Sequence, residues 1–446
     1  MLYQVRHKPN ALQISHMKIV FAFDSFKGSL TAAAACREAA LALVEQRPEA
    51  VPVEKPMADG GEGTAAALLA ARGGEWVEMP ATGPLPSMTV DAGYAWLADG
   101  ETAVVEMASA SGITLLRRDQ LNPMATTTLG TGELVSAALE RNPRRLLLAV
   151  GGSATVDGGI GAAHALGWRF LDDRGDELPP IGASLARIHT IRPPDRRPPD
   201  RLITVLSDVT NPLCGPRGAA PVFGPQKGAS PEQVALLDRG LERRAACIHA
   251  QLGKDLCAMP GGGAAGGLAA GTVAFMNAAI QPGIETIMEA AGLADALDGA
   301  DWVVTGEGSF DEQSLHGKVV SGVARLARSR GVRVAVLAGR IAMDPAHFPS
   351  AGIAYADAIT PPSRDARHRG MRLAGLLNRG DIVCRPKRLP LSASAVWSSA
   401  YYAPYLRITA RTMPPISIDS FGMMGRYFLF AGTSRTLRPL FSKYFT

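Results

Sequence analysis

Seven short runs gather acids, lysines, amides and glycines at spacings that chemistry can use. Asp24-Ser25-Phe26-Lys27-Gly28-Ser29-Leu30-Thr31 sets a carboxylate close to an ammonium. Such a pair can activate a hydroxyl and neutralise phosphate charge, or act only as a cap and salt bridge. Met57-Ala58-Asp59-Gly60-Gly61-Glu62-Gly63-Thr64 places two carboxylates around a flexible turn. Its glycines permit positive φ and close approach of a ligand, and Glu62 could hold magnesium or a substrate hydroxyl. In Gly151-Gly152-Ser153-Ala154-Thr155-Val156-Asp157-Gly158-Gly159, small residues would expose backbone N–H groups and a positive helix end. Those features suit phosphate, with tight helix-to-sheet packing as the structural alternative. The run from Thr126 to Glu133 could be a second cradle of the same kind.

Asp208, within Ser207-Asp208-Val209-Thr210-Asn211-Pro212, offers a hard oxygen ligand for magnesium or a cap for the following turn. Lys227, on the glycine-flanked run Gly224 to Gly228, either reaches a phosphate or faces solvent. The run Thr305 to Lys318 holds Glu307, Asp311, Glu312, Gln313, His316 and Lys318 within one loop. So many polar groups leaving an apolar strand are hard to explain as packing.

Familiar signatures of other mechanisms are missing. Gly317-Lys318 is followed by Val319, so the phosphate loop of P-loop enzymes is not expected. A literal GxGxxG at Gly261, Gly263 and Gly266 follows Ala258-Met259-Pro260 rather than a strand, which argues against a dinucleotide fold.

The elements that must position these runs alternate short apolar strands with amphipathic helices, the pattern of an α/β protein with mostly parallel strands. Strands are expected at Lys18–Phe23, Val51–Lys55, Val104–Glu106, Leu146–Val150, Ile203–Leu206, Trp302–Val304, Val332–Leu337 and Tyr355–Ile359. Helices are expected over Thr31–Gln46 and Glu62–Ala71. In parallel sheets ligands bind beyond the carboxyl ends of strands, where the polar runs fall. Pro193 to Arg201 reads as a linker or hairpin. The uncharged stretch Leu256 to Ile284 has the length of a membrane span, but its glycines, Pro260, Asn277 and Gln281 make it too polar and broken for one.

The chain has 446 residues and a formal charge of +5, which would suggest an acidic partner. Residues 363–446, however, carry fourteen Lys/Arg against three Asp/Glu, so residues 17–362 are mildly acidic. That tail also holds eleven of the 26 aromatics and loses the strand-to-helix rhythm, reading as a shifted frame or a fusion rather than a domain. A nucleic-acid module in the tail is the rival reading. Five scattered cysteines give no disulfide or zinc framework. The first sixteen residues lack the apolar run of a secretory signal, and Met17 reads as the natural start.

In order and wording, these runs resemble the bacterial type-1 glycerate kinases. The likeness lies in MKIVFAFDSFKGSLTA from Met17, MADGGEGT from Met57, TLGTGEL from Thr128, GGSATVDGGIGAAHALG from Gly151, SDVTNPLCGPRGAAPVFGPQKG from Ser207 and TGEGSFDEQSLHGK from Thr305. The resemblance implies ATP-dependent phosphorylation of D-glycerate, usually at the 2-hydroxyl, and phosphoryl transfer of this kind is expected to use Mg2+. A kinase acting at the 3-hydroxyl or on another small hydroxy acid would share the same loops. It also implies two α/β domains with the active site in the cleft between them. One is flavodoxin-like, with a mostly parallel sheet, and discontinuous in sequence (17–80 and 286–362); the other is inserted (81–285). The site residues expected are Asp24, Lys27, Asp59, Asp311 and Lys318 for catalysis, and Gly151, Gly152, Ser153, Thr155 and Lys227 for the nucleotide. Ser25, Gly60, Glu62, Glu307 and Gln313 are expected at the substrate, and Asp208 at the metal. A cytoplasmic monomer or homodimer, with no nucleic-acid or membrane partner, completes the expectation.

Overall fold

A computed structural model describes residues 17–26, 29–195, 202–311, 314 and 318–359. Contacts group the described residues up to Ala356 into one compact unit. The basic tail, with the readings attached to it, lies outside the described residues.

The chain opens with β1 (Lys18–Phe23), α1 (Ala32–Gln46), β2 (Val51–Glu54) and α2 (Thr64–Arg72). There follow β3 (Gly74–Thr82), β4 (Thr89–Leu97), β5 (Thr102–Glu106), α3 (Ala108–Ser111), α4 (Leu129–Glu140), β6 (Arg145–Ala149) and α5 (Ile160–Ala165). Next are β7 (Arg169–Leu171), β8 (Thr190–Arg192), β9 (Ile203–Leu206), α6 (Ala219–Phe223), α7 (Pro231–Leu252), α8 (Ala264–Met276) and β10 (Ala279–Gln281). The last elements are α9 (Gly283–Ala290), α10 (Leu293–Leu297), β11 (Trp302–Gly306), β12 (Ser309–Phe310), α11 (Val319–Ser329), β13 (Arg333–Ala338), β14 (Arg340–Ile341) and β15 (Tyr355–Ala358).

Two sheets organise these elements. The first runs β15-β13-β11-β1-β2, which, renumbered by itself, is the 2-1-3-4-5 order of flavodoxin-like sheets. Its pairs β1 with β2, β1 with β11 and β11 with β13 are parallel. β1 is buried at all but one of its six positions, because helices cover both faces of a central parallel strand. The second sheet runs β10-β9-β6-β5-β4-β3. It is parallel from β10 to β5 and antiparallel at β4 and β3.

The edge hairpin β3–β4 and the short β10 are absent from the sequence reading. The hairpin has one wet face, so it lacks the continuous apolar run that marked the other strands. β3 already belongs to the second sheet, so the handover from the first falls near Gly73, earlier than residue 80.

One apolar core joins Val20, Met57, Leu68 and Val320 to Ala95, Val104, Leu147 and Leu206, with residues from both sheets. α2 and α9 supply its middle layer, and α4, α5 and α8 close a separate core on the other face of the second sheet.

Local signals fix the helix ends. Thr31 caps α1 by accepting from the Ala34 N–H at 3.2 Å, and Ser230 and Gln233 form a reciprocal capping box on α7. The uncharged stretch contains α8, whose first residues Ala265, Gly266 and Gly267 all have positive φ and break it. Among the described residues no helix is long and apolar enough to cross a membrane. Gly263 and Gly266 of the literal GxGxxG pack directly on the carbonyls of Pro212 and Thr155, a close-approach role with no strand before it.

Candidate active site

At the end of β1 the Asp24 N–H donates to the Gly306 carbonyl at 2.9 Å, so Asp24 and Glu307 leave adjacent strands side by side. The Ser25 N–H donates to the Asp24 carboxylate at 2.6 Å. The loop after β11 is pinned because Glu307 and Gly308 accept from Gly339 and Arg340. It turns tightly at Asp311, whose carbonyl accepts from the Ser314 N–H at 3.0 Å.

Glu307 is a buried carboxylate whose Oε1 has no hydrogen-bond partner among the described residues. Burial pushes its pKa up; the Ser314 hydroxyl and Lys318 pull it down, and Asp311 and Asp59 push it up. Those influences tie Asp59, on the β2 loop, to Asp311 and Lys318, on the β11 loop.

The β2 loop bridges to the second sheet. Its start is held by the Met57 N–H on the Phe23 carbonyl at 2.8 Å. Gly60 (φ +88) lies against Leu206 at the end of β9, where a Cβ would come within 3.0 Å of the leucine side chain. A Cβ on Gly151 would fall 2.4 Å from the Gly61 Cα, so these two loops touch backbone to backbone, and only glycine at 151 permits it. The Gly283 N–H donates to the Asp208 carboxylate at 2.9 Å, while Gly283 also packs on the Asp59 carbonyl.

Asp208 is open to solvent on one side yet crowded by protein on the others. The crowding raises its pKa to about 6; the hydrogen bond from Gly283 works against the rise, and the charge of Asp59 adds to it. Among the described residues no three His, Cys, Asp or Glu side chains gather as a metal cage. Asp59 and Asp208 are neighbouring carboxylates, the donor set that magnesium uses when phosphates and water complete its shell.

The Gly151–Gly159 loop departs from its sequence reading in one respect. The positive end of α5 is not free for phosphate. The buried Asp157 occupies it, accepting from Gly159 N–H at 2.9 Å and Gly161 N–H at 3.2 Å as well as from Thr128. The supposed second cradle therefore serves as scaffold: Thr128 holds Asp157, and Thr131 donates to Ser111 at 2.8 Å. What remains open is the turn itself. Gly152 (φ +75) gives its carbonyl to the Ile113 N–H, while the N–H groups of Gly152 and Ser153 have no acceptor among the described residues.

Lys227 does not face solvent. It is 2% exposed, lies behind the Gly152–Ser153 turn, and donates to Ser153 Oγ at 2.6 Å and the Thr155 carbonyl at 2.7 Å. Ser25 is half-buried, and Glu62 is exposed beside the start of α2. Lys27 and Gln313 lie outside the described residues.

Glu106 escaped the sequence reading. This buried carboxylate at the end of β5 accepts from Gly63 N–H at 3.3 Å and Ala65 N–H at 2.6 Å, capping α2 from the opposite sheet. Burial raises its pKa, the two N–H groups lower it, and Glu62 raises it. The signal was present as an acid closing the apolar run Val104-Val105-Glu106, the same cue that singled out Asp208.

A sequence model described as the glycerate kinase family matches residues 19–379, running past Pro362, where the composition changes. The chain is 42% identical over 355 residues to the glycerate kinase of Bacillus subtilis, covering 78% of this chain and 93% of that one. It is 42% identical over 330 residues to the glycerate 2-kinase of Escherichia coli, covering 74% and 86%. A crystal structure from Salmonella typhimurium, named provisionally as glycerate kinase 2, superposes with a TM-score of 0.69 at 37% identity. That match covers 82% of this chain and 99% of the other.

Proposed function

This chain belongs to the glycerate kinase family, and on that premise we propose that it transfers the γ-phosphoryl group of ATP to the 2-hydroxyl of D-glycerate, giving 2-phosphoglycerate. The 2-position is supported by the relative named glycerate 2-kinase. The observation that carries the reading is the backbone contact of Gly61 with Gly151. It joins the acidic loops of one sheet to the open glycine turn of the other.

Phosphoryl transfer asks a protein mainly for alignment and charge stabilisation. In this reading the N–H groups of Gly152 and Ser153, with Gly151 and Thr155 beside them, receive the nucleotide phosphates. Asp208, with Asp59 near it, holds Mg2+, which when bound screens the phosphate charge. Lys318 and Lys27 neutralise the transferring group or the substrate carboxylate. Asp24, Asp59 or Asp311 accepts the hydroxyl proton, and Ser25, Gly60, Glu62, Glu307 and Gln313 shape the glycerate site. The two sheets form two domains, the flavodoxin-like one discontinuous and the other inserted, with the handover at Gly73 and the substrates between them. The enzyme works in the cytoplasm as a monomer or homodimer.

The test is an ATP-consumption assay over a panel of small hydroxy acids, with the product identified by phosphorus NMR. A 2-phosphoglycerate signal is expected; a 3-phosphoglycerate signal or a preference for another acid overturns the assignment. If Asp24→Ala, Lys27→Ala and Asp311→Ala all keep near-normal turnover, the catalytic roles are wrong.

A further inference from the structure

Behind the open turn, three buried ionisable groups would not balance if all of them were charged. Lys227, Arg244 on α7, and Asp157 are each 2% exposed or less. Buried charge is tolerated when it is paired. Asp157, whose pKa is raised by burial against the lowering pull of its hydrogen bonds from Thr128, Gly159 and Gly161, supplies at most one negative charge against two potential positive ones. Arg244 donates Nη1 to the Gly158 carbonyl, but its Nε and Nη2 are buried with no partner among the described residues. The Thr155 hydroxyl is buried and unpartnered as well.

Lys227 shows the same deficit in its hydrogen bonds. Its two acceptors, Ser153 Oγ and the Thr155 carbonyl, satisfy both N–H bonds of a neutral amine. An ammonium has a third N–H, for which no acceptor exists among the described residues.

We propose that the phosphate chain of the nucleotide completes this cluster: as it binds the turn in front of Ser153, its charge makes Lys227 take up a proton from solvent. The inference rests on the reading of Gly151 to Thr155 as the phosphate cradle. Lys227 is thus a positioning residue that locks the cradle through Ser153 and Thr155 once phosphate arrives.

The sign follows from the electrostatics. Burial lowers the amine from 10.5 to about 7, and Asp157, the charged group facing it, pulls the other way. Arg244 acts on Asp157 from α7, faces the thiols of Cys214 and Cys257, and remains charged with a pKa lowered by burial to about 10. Above neutrality the free amine is largely unprotonated. A nearby phosphate favours the ammonium, so uptake is greatest between the free and the nucleotide-bound pKa.

Calorimetric titration of the full chain with ATP at about pH 8, in two buffers of different ionisation enthalpy, measures the uptake while phosphate, with its second pKa near 6, is already deprotonated. The expected result approaches one proton per ATP and none per adenosine. ATP binding without uptake overturns the proposal and leaves the cradle reading intact. If Gly152→Val binds ATP as tightly as the native chain, the cradle reading itself fails. Lys227→Arg, permanently charged, should bind ATP with no uptake, and uptake that persists there overturns the assignment to Lys227. Should that variant show no cooperative melt, the native chain still decides. ATP affinity that falls toward tenfold per pH unit between the free and the bound pKa supports the coupling, and a flat profile across that interval overturns it.

Discussion

On the first sheet, Asp59, Asp311 and Lys318 stand partly open to solvent on loops that leave β2 and β11. On the second, Glu106, Asp157 and Lys227 are buried, and backbone and hydroxyl partners engage their heads. The two regions use similar residue types to different ends. Exposed acids near one another keep a high local charge that a cation or a hydroxyl proton can relieve. Buried acids spend their charge holding loops in shape, where a lost partner leaves an uncompensated ion.

Substitutions on the two sides should therefore fail differently. Asp157→Ala removes the acceptor for Thr128, Gly159 and Gly161 and leaves Lys227 and Arg244 without a counter-charge. Urea unfolding should show a loss of about 3–5 kcal/mol, and a loss under about 1 kcal/mol would erase the distinction between the regions. Asp59→Asn, by contrast, should keep the native midpoint and lower kcat by roughly a hundredfold or more, read by steady-state kinetics.

Glu106→Gln tests the buried side at a smaller scale: the amide nitrogen can no longer accept, so one of the Gly63 and Ala65 N–H groups at the start of α2 loses its acceptor, at an expected cost of about 1–3 kcal/mol. The pKa of Glu106 is raised in the folded state, so the folded chain holds that proton to higher pH than the unfolded one. Its contribution is full below the unfolded value of 4.5 and declines as pH rises through the folded value; the Gln variant should flatten that part of the stability profile. Thr31→Ala, on neither side of the comparison, should cost about 1 kcal/mol through the α1 cap alone and leave kinetics unchanged.

The acidic side was the more legible in the sequence. Asp24, Asp59, Asp208 and Glu307 each follow an apolar strand within a few residues, so a strand prediction and a charge were enough to flag them. The buried side is less legible, because long-range partners decide it. Asp157 looked like part of an open helix end, yet its own carboxylate fills that end. Lys227 reads in sequence as an arm toward phosphate or solvent; the solvent alternative fails because the amine is buried on Ser153 Oγ and the Thr155 carbonyl.

Local pattern alone settled the βα rhythm, the helix caps and the polar runs at strand ends, because strand and helix periods and cap chemistry act over a few residues. The order of strands, the touch of Gly61 on Gly151 and the enclosure of Asp157, Lys227 and Arg244 depend on segments as far as 283 residues apart. No local preference encodes which loop will lie against which; burial of one shared core does.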